Sequence, residues 1–341
     1  VEHRSLGRSG LKVSALSLGC MTFGESLTFM KGVTSPDDEA RRVLDVALER
    51  GITLLDTADV YGDGTSEECL GAWLGARREH VLLATKCRFP LGAGSKKPVG
   101  PNDQGLSRKH ILASVEASLR RLRTDWIDLY QVHMQDPRTP IEETLRALDD
   151  LVSQGKVRYA GCSNYTGYRL VESLWAADRR STIRYESVQL QWSLLDRGCE
   201  REVVPACKAF GLGTLVWGPL ARGFLSGKYR RGEAAPSGTR FDSWRDAHAH
   251  YDKDQNWRVL DAVRAIAERH RTTPAAVACA WLLGHAEVST ILVGARNVKQ
   301  LEENLACLDV KLAPEEQAEL SKVSTPDWGY PQGFIAMREA W

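Results

Sequence analysis

Long apolar runs are missing from this sequence. None approaches the roughly 18–20 residues a membrane-crossing helix needs, and the N-terminus shows no secretory pattern. A surplus of either charge is also missing. Lysine and arginine total 45 against 44 aspartates and glutamates, a net charge of +1, so the basic footprint of a nucleic-acid binder is absent. The eight cysteines (Cys20, Cys69, Cys87, Cys162, Cys199, Cys207, Cys279, Cys307) include no C-x-x-C pair. Scattered thiols in a chain of this size read as reduced, which makes the expected location cytoplasmic. There is no H-E-x-x-H, no G-x-S-x-G, and no G-x-G-x-x-G behind an apolar run. A zinc protease, a serine hydrolase of the elbow type and a glycine-fingerprint dinucleotide sheet therefore lose their usual signatures, and no metal is expected. No repeat or low-complexity tract stands out. What remains is a chain expected to act on a small molecule, with no nucleic acid or membrane as partner; its oligomeric state is unknown from sequence.

What is present is alternation. Strand-like runs fall at 17–19, 53–56, 81–86, 127–133, 157–162, 187–191, 213–217 and 289–293, with helical patterns between them. Ser35-Pro36-Asp37-Asp38 reads as a cap with a first-turn proline ahead of a helix that Gly51 ends. Ser107 opens a helix bearing Ile111, Leu112, Val115, Leu119 and Leu122, and Thr139-Pro140-Ile141-Glu142 opens another. Eight strand–helix units without a composition break point to an α/β fold, a (β/α)₈ TIM barrel forming a single domain over residues 1–341. A doubly wound sheet is the alternative. Residues 4–6 and 11–13 flank Gly7-Arg8-Ser9-Gly10 as an N-terminal β-hairpin, and extra helices at 254–270 and 274–283 precede the last strand. Two long loops, 87–106 and 218–253, read as active-site loops, and the aromatic content of the second suggests a lid.

In such a barrel the chemistry gathers at the C-terminal strand ends. Those ends hold Asp56 and Tyr61 after the second strand, Lys86 on the third, and His133 after the fourth. A carbonyl accepting a hydride develops negative charge on oxygen and needs a donor there. A tyrosine hydroxyl fits once a neighbouring ammonium lowers its pKa and a carboxylate holds that ammonium. Asp56, Tyr61 and Lys86 supply these groups, and His133 can orient the carbonyl or share the proton. Singly, each has a plainer explanation as a loop cap, a turn-packing ring, a solvated charge or a rim residue. Together they favour chemistry.

At these residues the sequence resembles the aldo-keto reductase family, in its potassium-channel β-subunit-like, bacterial branch. The likeness runs from Leu18-Gly19 to about Leu308. It is carried by Asp56-Thr57-Ala58-x-x-Tyr61-Gly62, Ala84-Thr85-Lys86, the run from Asp125 to His133, Gly155-Lys156-Val157-Arg158-Tyr159-x-Gly161-x-Ser163-Asn164, the run from Pro219 to Lys228, and Gln300-Leu301-Glu302-Glu303-Asn304. The resemblance implies a barrel enzyme using NADPH/NADP, with Tyr61 as general acid assisted by Asp56, Lys86 and His133. It further implies Ser163, Asn164 and Gln189 at the nicotinamide carboxamide, and Met21 and Thr22 at the ribose beside Asp56. Trp217 would be the stacking aromatic; Trp217-Gly218 stands where the family more often has Tyr-Ser. Gly218, Pro219, Leu220, Arg222 and Lys228 would follow the pyrophosphate, and Gly294, Arg296, Gln300, Glu303 and Asn304 the adenosine half. A guanidinium such as that of Arg296 suits the 2′-phosphate better than a bare hydroxyl. The substrate is then a carbonyl or, for the same site run as an NADP-dependent alcohol dehydrogenase, an alcohol. A non-enzymatic, cofactor-sensing partner subunit is the third possibility. Trp244, Tyr251, Trp328, Tyr330 and Phe334 are candidate pocket walls, and Trp341 ends a tail of open role.

Overall fold

The computed structural model describes residues 1–25, 32–92 and 99–338. Trp341 and the stretch 93–98 of the first long loop lie outside the described residues. Strands β1 (His3–Ser5) and β2 (Lys12–Ser14) pair antiparallel as the expected hairpin. Eight parallel strands follow: β3 (Leu16–Gly19), β4 (Leu54–Asp56), β5 (Leu82–Cys87), β6 (Ile127–Val132), β7 (Val157–Ser163), β8 (Ser187–Gln191), β9 (Gly213–Trp217) and β10 (Val288–Val293). They close in chain order, with β10 pairing both β9 and β3, so the barrel alternative holds and the open sheet does not. Each strand matches its expected span to within one residue at either end.

One helix or helical group separates each pair of strands: α1 (Asp37–Glu49), α2 (Thr65–Leu74), α3 (Arg108–Leu122), α4 (Ile141–Ser153), α5 (Gly167–Arg180) and α6 (Val203–Phe210). Between β9 and β10 lie α7 (Arg240–Ser243), α8 (Arg245–Tyr251), α9 (Asp254–Arg269) and α10 (Pro274–Leu283). The chain finishes with α11 (Val298–Leu305), α12 (Pro314–Val323) and α13 (Gln332–Arg338). Helix α10 is buried along Ala275–Leu282, so it needs cover on its outer side as well, and α9 supplies it. That explains two successive helices with no strand between them.

The caps differ in part from expectation. Ser107 Oγ accepts from His110 N, as a capping serine should. Ser35 does not cap α1. Its backbone N–H donates to Thr22 O at 2.9 Å, its hydroxyl is buried without a partner among the described residues, and Pro36 stands at the cap position rather than in the first turn. The helix N-terminus is instead complemented by Asp37, Asp38 and Glu39.

Inside the barrel, alternation along each strand sorts side chains into layers. The lower layer is apolar: Leu54, Ala84, Leu129, Leu215 and Leu292 meet Leu6 and Val13 of the hairpin, which plugs that end. Two residues further along the same strands the character changes, giving Asp56, Lys86, Gln131 and Trp217, with Ser163 and Gln189 alongside. The hairpin thus closes the floor, and the polar layer above it faces the open end.

Candidate active site

Asp56, at the tip of β4, accepts from Lys86 Nζ on Oδ1 at 2.5 Å, with both side chains almost wholly buried. Lys86 Nζ also donates to Thr57 O at 2.8 Å and reaches the Tyr61 hydroxyl at 3.5 Å. Tyr61 lies five residues beyond the end of β4 and opens a turn in which Gly62, Asp63 and Gly64 are all left-handed. At Gly62 a Cβ would lie 2.1 Å from Thr65 Oγ1, so glycine suits the turn that carries the chain from Tyr61 into α2. His133 stands edge-on to Tyr61, ring centroids 5.7 Å apart.

Burial dominates the electrostatics. It raises the Tyr61 phenol above the usual 10; Lys86 works against this and Asp56 reinforces it. The expectation that the ammonium would win is therefore corrected: full burial penalises the phenolate more than Lys86 favours it. Burial also works to lower Lys86, but Asp56 and Tyr61 overcome it and hold the ammonium above its ordinary value. His133 is pushed well below 6.5 by burial, then by Lys86 and Arg88, leaving a neutral imidazole at physiological pH.

These groups border a cavity of about 990 Å³. Of the twenty residues assigned from sequence to catalysis or to the cofactor, Lys86 alone does not line it, being sealed beneath Asp56 and Tyr61; the other nineteen do. Met21 and Thr22 arrive from the end of β3. Ser163 and Asn164 come from β7; Ser163 Oγ is buried with no partner among the described residues, and Asn164 Nδ2 donates to His133 O at 2.9 Å. Gln189 Nε2 donates to Asp56 Oδ2 at 2.8 Å. Trp217, Gly218, Pro219 and Leu220 run out from β9 into a turn where Ala221, Arg222 and Gly223 are successively left-handed. Gly294 and Arg296 follow β10, and Gln300, Glu303 and Asn304 lie on α11, capped by Asn297. Gln300 Oε1 accepts from the Arg296 backbone N–H at 3.0 Å.

Several participants carried no sequence signal strong enough to be singled out. Arg240, on α7, lines the cavity with Arg222, Lys228 and Arg296. Burial, then Arg296 and Arg222, pushes its guanidinium down to about 10, and Lys228 is lowered by burial, Arg296 and Arg240. Phe89 lines the cavity near His133, ring centroids 5.0 Å apart. Gln131, fully buried, donates to Asp56 Oδ2 at 3.2 Å; a polar amide inside an otherwise buried strand was the sign available in the sequence. Of the five aromatics considered as walls, Trp244 alone lines the cavity, with Arg222 and Arg240 over its ring. Tyr251 is buried and bonds Asp196, Trp328 lies by Arg197, and Tyr330 and Phe334 are exposed. The other loop aromatics Phe224, Tyr229 and Phe241 pack on one another and on Trp257, a small core that holds the loop rather than a substrate wall.

Comparison with known proteins matches residues 15–325 to the aldo/keto reductase family. The chain is 38% identical over 323 residues to "Uncharacterized oxidoreductase YrpG" of Bacillus subtilis, covering 92% of this chain and 93% of that one. It is 35% identical over 317 residues to "Probable voltage-gated potassium channel subunit beta" of Arabidopsis thaliana, covering 91% and 92%. A protein of the same name from Oryza sativa is 35% identical over 324 residues, covering 92% and 94%. With its closed barrel and the groups at its mouth, the chain belongs to the aldo/keto reductase family of oxidoreductases.

Proposed function

We propose that this chain, one barrel domain over residues 1–341 working in the cytoplasm, is an NADPH-dependent reductase of aldehydes or ketones. The observation that carries the reading is the Asp56–Lys86–Tyr61 chain of contacts at the floor of a cavity that also admits His133. The residues suit a phosphorylated dinucleotide. Arg222, Lys228, Arg240 and Arg296 crowd one part of the cavity, and such like charges, costly when partly buried, are relieved by phosphates. The Ser163 hydroxyl, without a partner among the described residues, offers a hydrogen bond to a carboxamide. Ser163, Asn164 and Gln189 would hold the nicotinamide against Trp217, and Arg296 the 2′-phosphate. A reduced nicotinamide bound there supplies the hydride.

The protein's own part is to steer charge and one proton. The Tyr61 hydroxyl donates to the substrate oxygen and gives up its proton as negative charge grows there. Lys86, kept cationic by Asp56, stabilises the phenolate that remains. His133, neutral, orients the carbonyl by a hydrogen bond. The raised pKa of Tyr61 keeps the phenol protonated at neutral pH, the form that reduction requires. The test is consumption of NADPH with a panel of aldehydes, ketones, quinones and keto-sugars. Tight NADPH binding with negligible turnover across the panel would favour the cofactor-sensing partner subunit, the reading suggested by the names of the Arabidopsis and Oryza relatives.

A further inference from the structure

Gln131 lies on β6, two residues beyond Leu129 and on the same inward face, and is completely buried. Gly161 opposes it across the β6–β7 ladder. A Cβ at Gly161 would come within 3.2 Å of Gln131 Cγ and 2.7 Å of Ser187 Oγ, so glycine there leaves room for the glutamine chain. Three hydrogen bonds then join two amides and one carboxylate. Gln131 Nε2 donates to Asp56 Oδ2 at 3.2 Å, Gln189 Nε2 donates to the same oxygen at 2.8 Å, and Gln189 Nε2 donates to Gln131 Oε1 at 3.3 Å.

An ionised carboxylate only accepts, so both amides must turn nitrogen toward Asp56. An amide nitrogen carries two hydrogens, and Gln189 spends one on Asp56 and one on Gln131. A single bond to Asp56 would leave the Gln189 amide free to swing about it. The second bond fixes the amide plane and leaves Oε1 as the atom available to the cavity that Gln189 lines.

We infer that Gln131 is a positioning residue, locking the Gln189 amide so that the cavity demands a hydrogen-bond donor from the ring seated there. The inference rests on the reading of this cavity as a nicotinamide site. It makes Gln131 a determinant of which pyridine nucleotide binds, although its side chain is not among those lining the cavity. It also joins the ring-binding end of the site to the Asp56–Lys86–Tyr61 chain through one carboxylate.

The test compares equilibrium binding of NADP⁺ and of its 3-acetylpyridine analogue, in which a methyl replaces the carboxamide NH₂, by tryptophan fluorescence. The full-length wild type, Gln131→Met and Gln131→Glu are measured side by side. The wild type should bind the analogue about tenfold more weakly, the worth of one lost hydrogen bond in a dry site. Gln131→Met keeps the volume but cannot accept from Gln189, and should bind both ligands to within about threefold of each other. Gln131→Glu, kept protonated by its burial against the Asp56 carboxylate, donates to Asp56, keeps an acceptor facing Gln189 and should retain the preference. A space-filling role predicts the opposite order, with methionine the milder change. Full discrimination in Gln131→Met, or none in the wild type, overturns the inference; Gln131→Leu carries the methionine expectation should that variant not fold. Failure of all the proteins to bind NADP⁺ would overturn the nicotinamide reading itself, and is distinguished by the wild type.

Discussion

The guanidinium of Arg296 donates to the carbonyl oxygen of Gly238 at 2.9 Å, tying the long segment after β9 to the turn that follows β10. Arg240 lies two residues beyond that carbonyl and reaches the same cavity. The loop and the proposed 2′-phosphate site are thus held by one side chain. Replacing it by leucine separates the two roles. Arg296→Leu should weaken NADPH roughly ten- to hundredfold while NADH changes by no more than about threefold, since only the former loses charge-assisted bonds. Fluorescence titration with both cofactors reads this. An equal loss for the two would mean that Arg296 serves the loop tie alone.

Tyr61→Phe removes one oxygen and little volume. Turnover should be abolished, whereas cofactor affinity stays within about threefold because the hydroxyl is assigned to the substrate oxygen. Steady-state rates beside cofactor titrations check both halves. Activity near the wild-type level would exclude Tyr61 as the acid.

The pH dependence follows from the directions of two shifts. Reduction needs the phenol, and Tyr61 is raised above the usual 10, so kcat for reduction should stay level through neutral pH and fall only in strong alkali. His133, depressed well below 6.5, stays neutral throughout that range and adds no limb near neutrality. Oxidation of an alcohol needs the phenolate and should climb with pH over the same interval. Lys86→Met removes the group that opposes burial at Tyr61, so oxidation at fixed pH should drop further than reduction does. Rate profiles in both directions, measured against matched alcohol and carbonyl pairs, test this. A reduction limb near pH 7 would contradict it.

The strands, and the gathering of Asp56, Tyr61, Lys86 and His133 at their ends, were legible because each rests on short-range pattern. Eight apolar runs mark eight buried strands, and Asp56, Lys86 and His133 sit at or just beyond their ends, where side-chain parity alone directs Asp56 and Lys86 inward. Tyr61 was legible as a proton donor placed shortly after the second strand, near Asp56 and Lys86. Other features depended on packing between distant segments and left no local mark. Arg240 sits in a loop that no periodicity describes, and its role follows only when Arg222, Lys228 and Arg296 are brought around it. The direction of the Tyr61 shift depends on how completely the fold buries the phenol, a quantity that motif spacing does not contain. Ser35 looked like a cap by type, but the bond from its backbone to Thr22 sets where the helix begins.

His285 lies against Trp192 and Trp281, ring centroids 4.9 and 4.6 Å away, and its Nε2 is buried with no partner among the described residues. Burial first, and Arg197 after it, lowers its pKa below 6.5 despite Glu200 and Glu287. The folded state therefore holds a neutral ring where the unfolded chain takes up a proton. Below about pH 6.5 the unfolded state binds more protons, so stability is full above that value and is lost as pH falls toward the folded pKa. His133 and His110 act in the same direction. Asp136 and Glu316 are lowered from 3.8 and 4.5, so the stability they contribute is lost only in stronger acid. The interval from about pH 7.5 to 5.5 lies above both of those carboxylates. Asp59, raised well above 3.8 by burial and then Glu67, gains stability as pH falls and works against the histidines, so the effect of His285 is read from the difference between variant and wild type. His285→Phe keeps an aromatic ring between the two indoles and removes one titrating group, so the fall in Tm across that interval should be smaller than in the wild type. Thermal melts at the two pH values measure it, and an undiminished fall would show that His285 is not a source of the acid sensitivity.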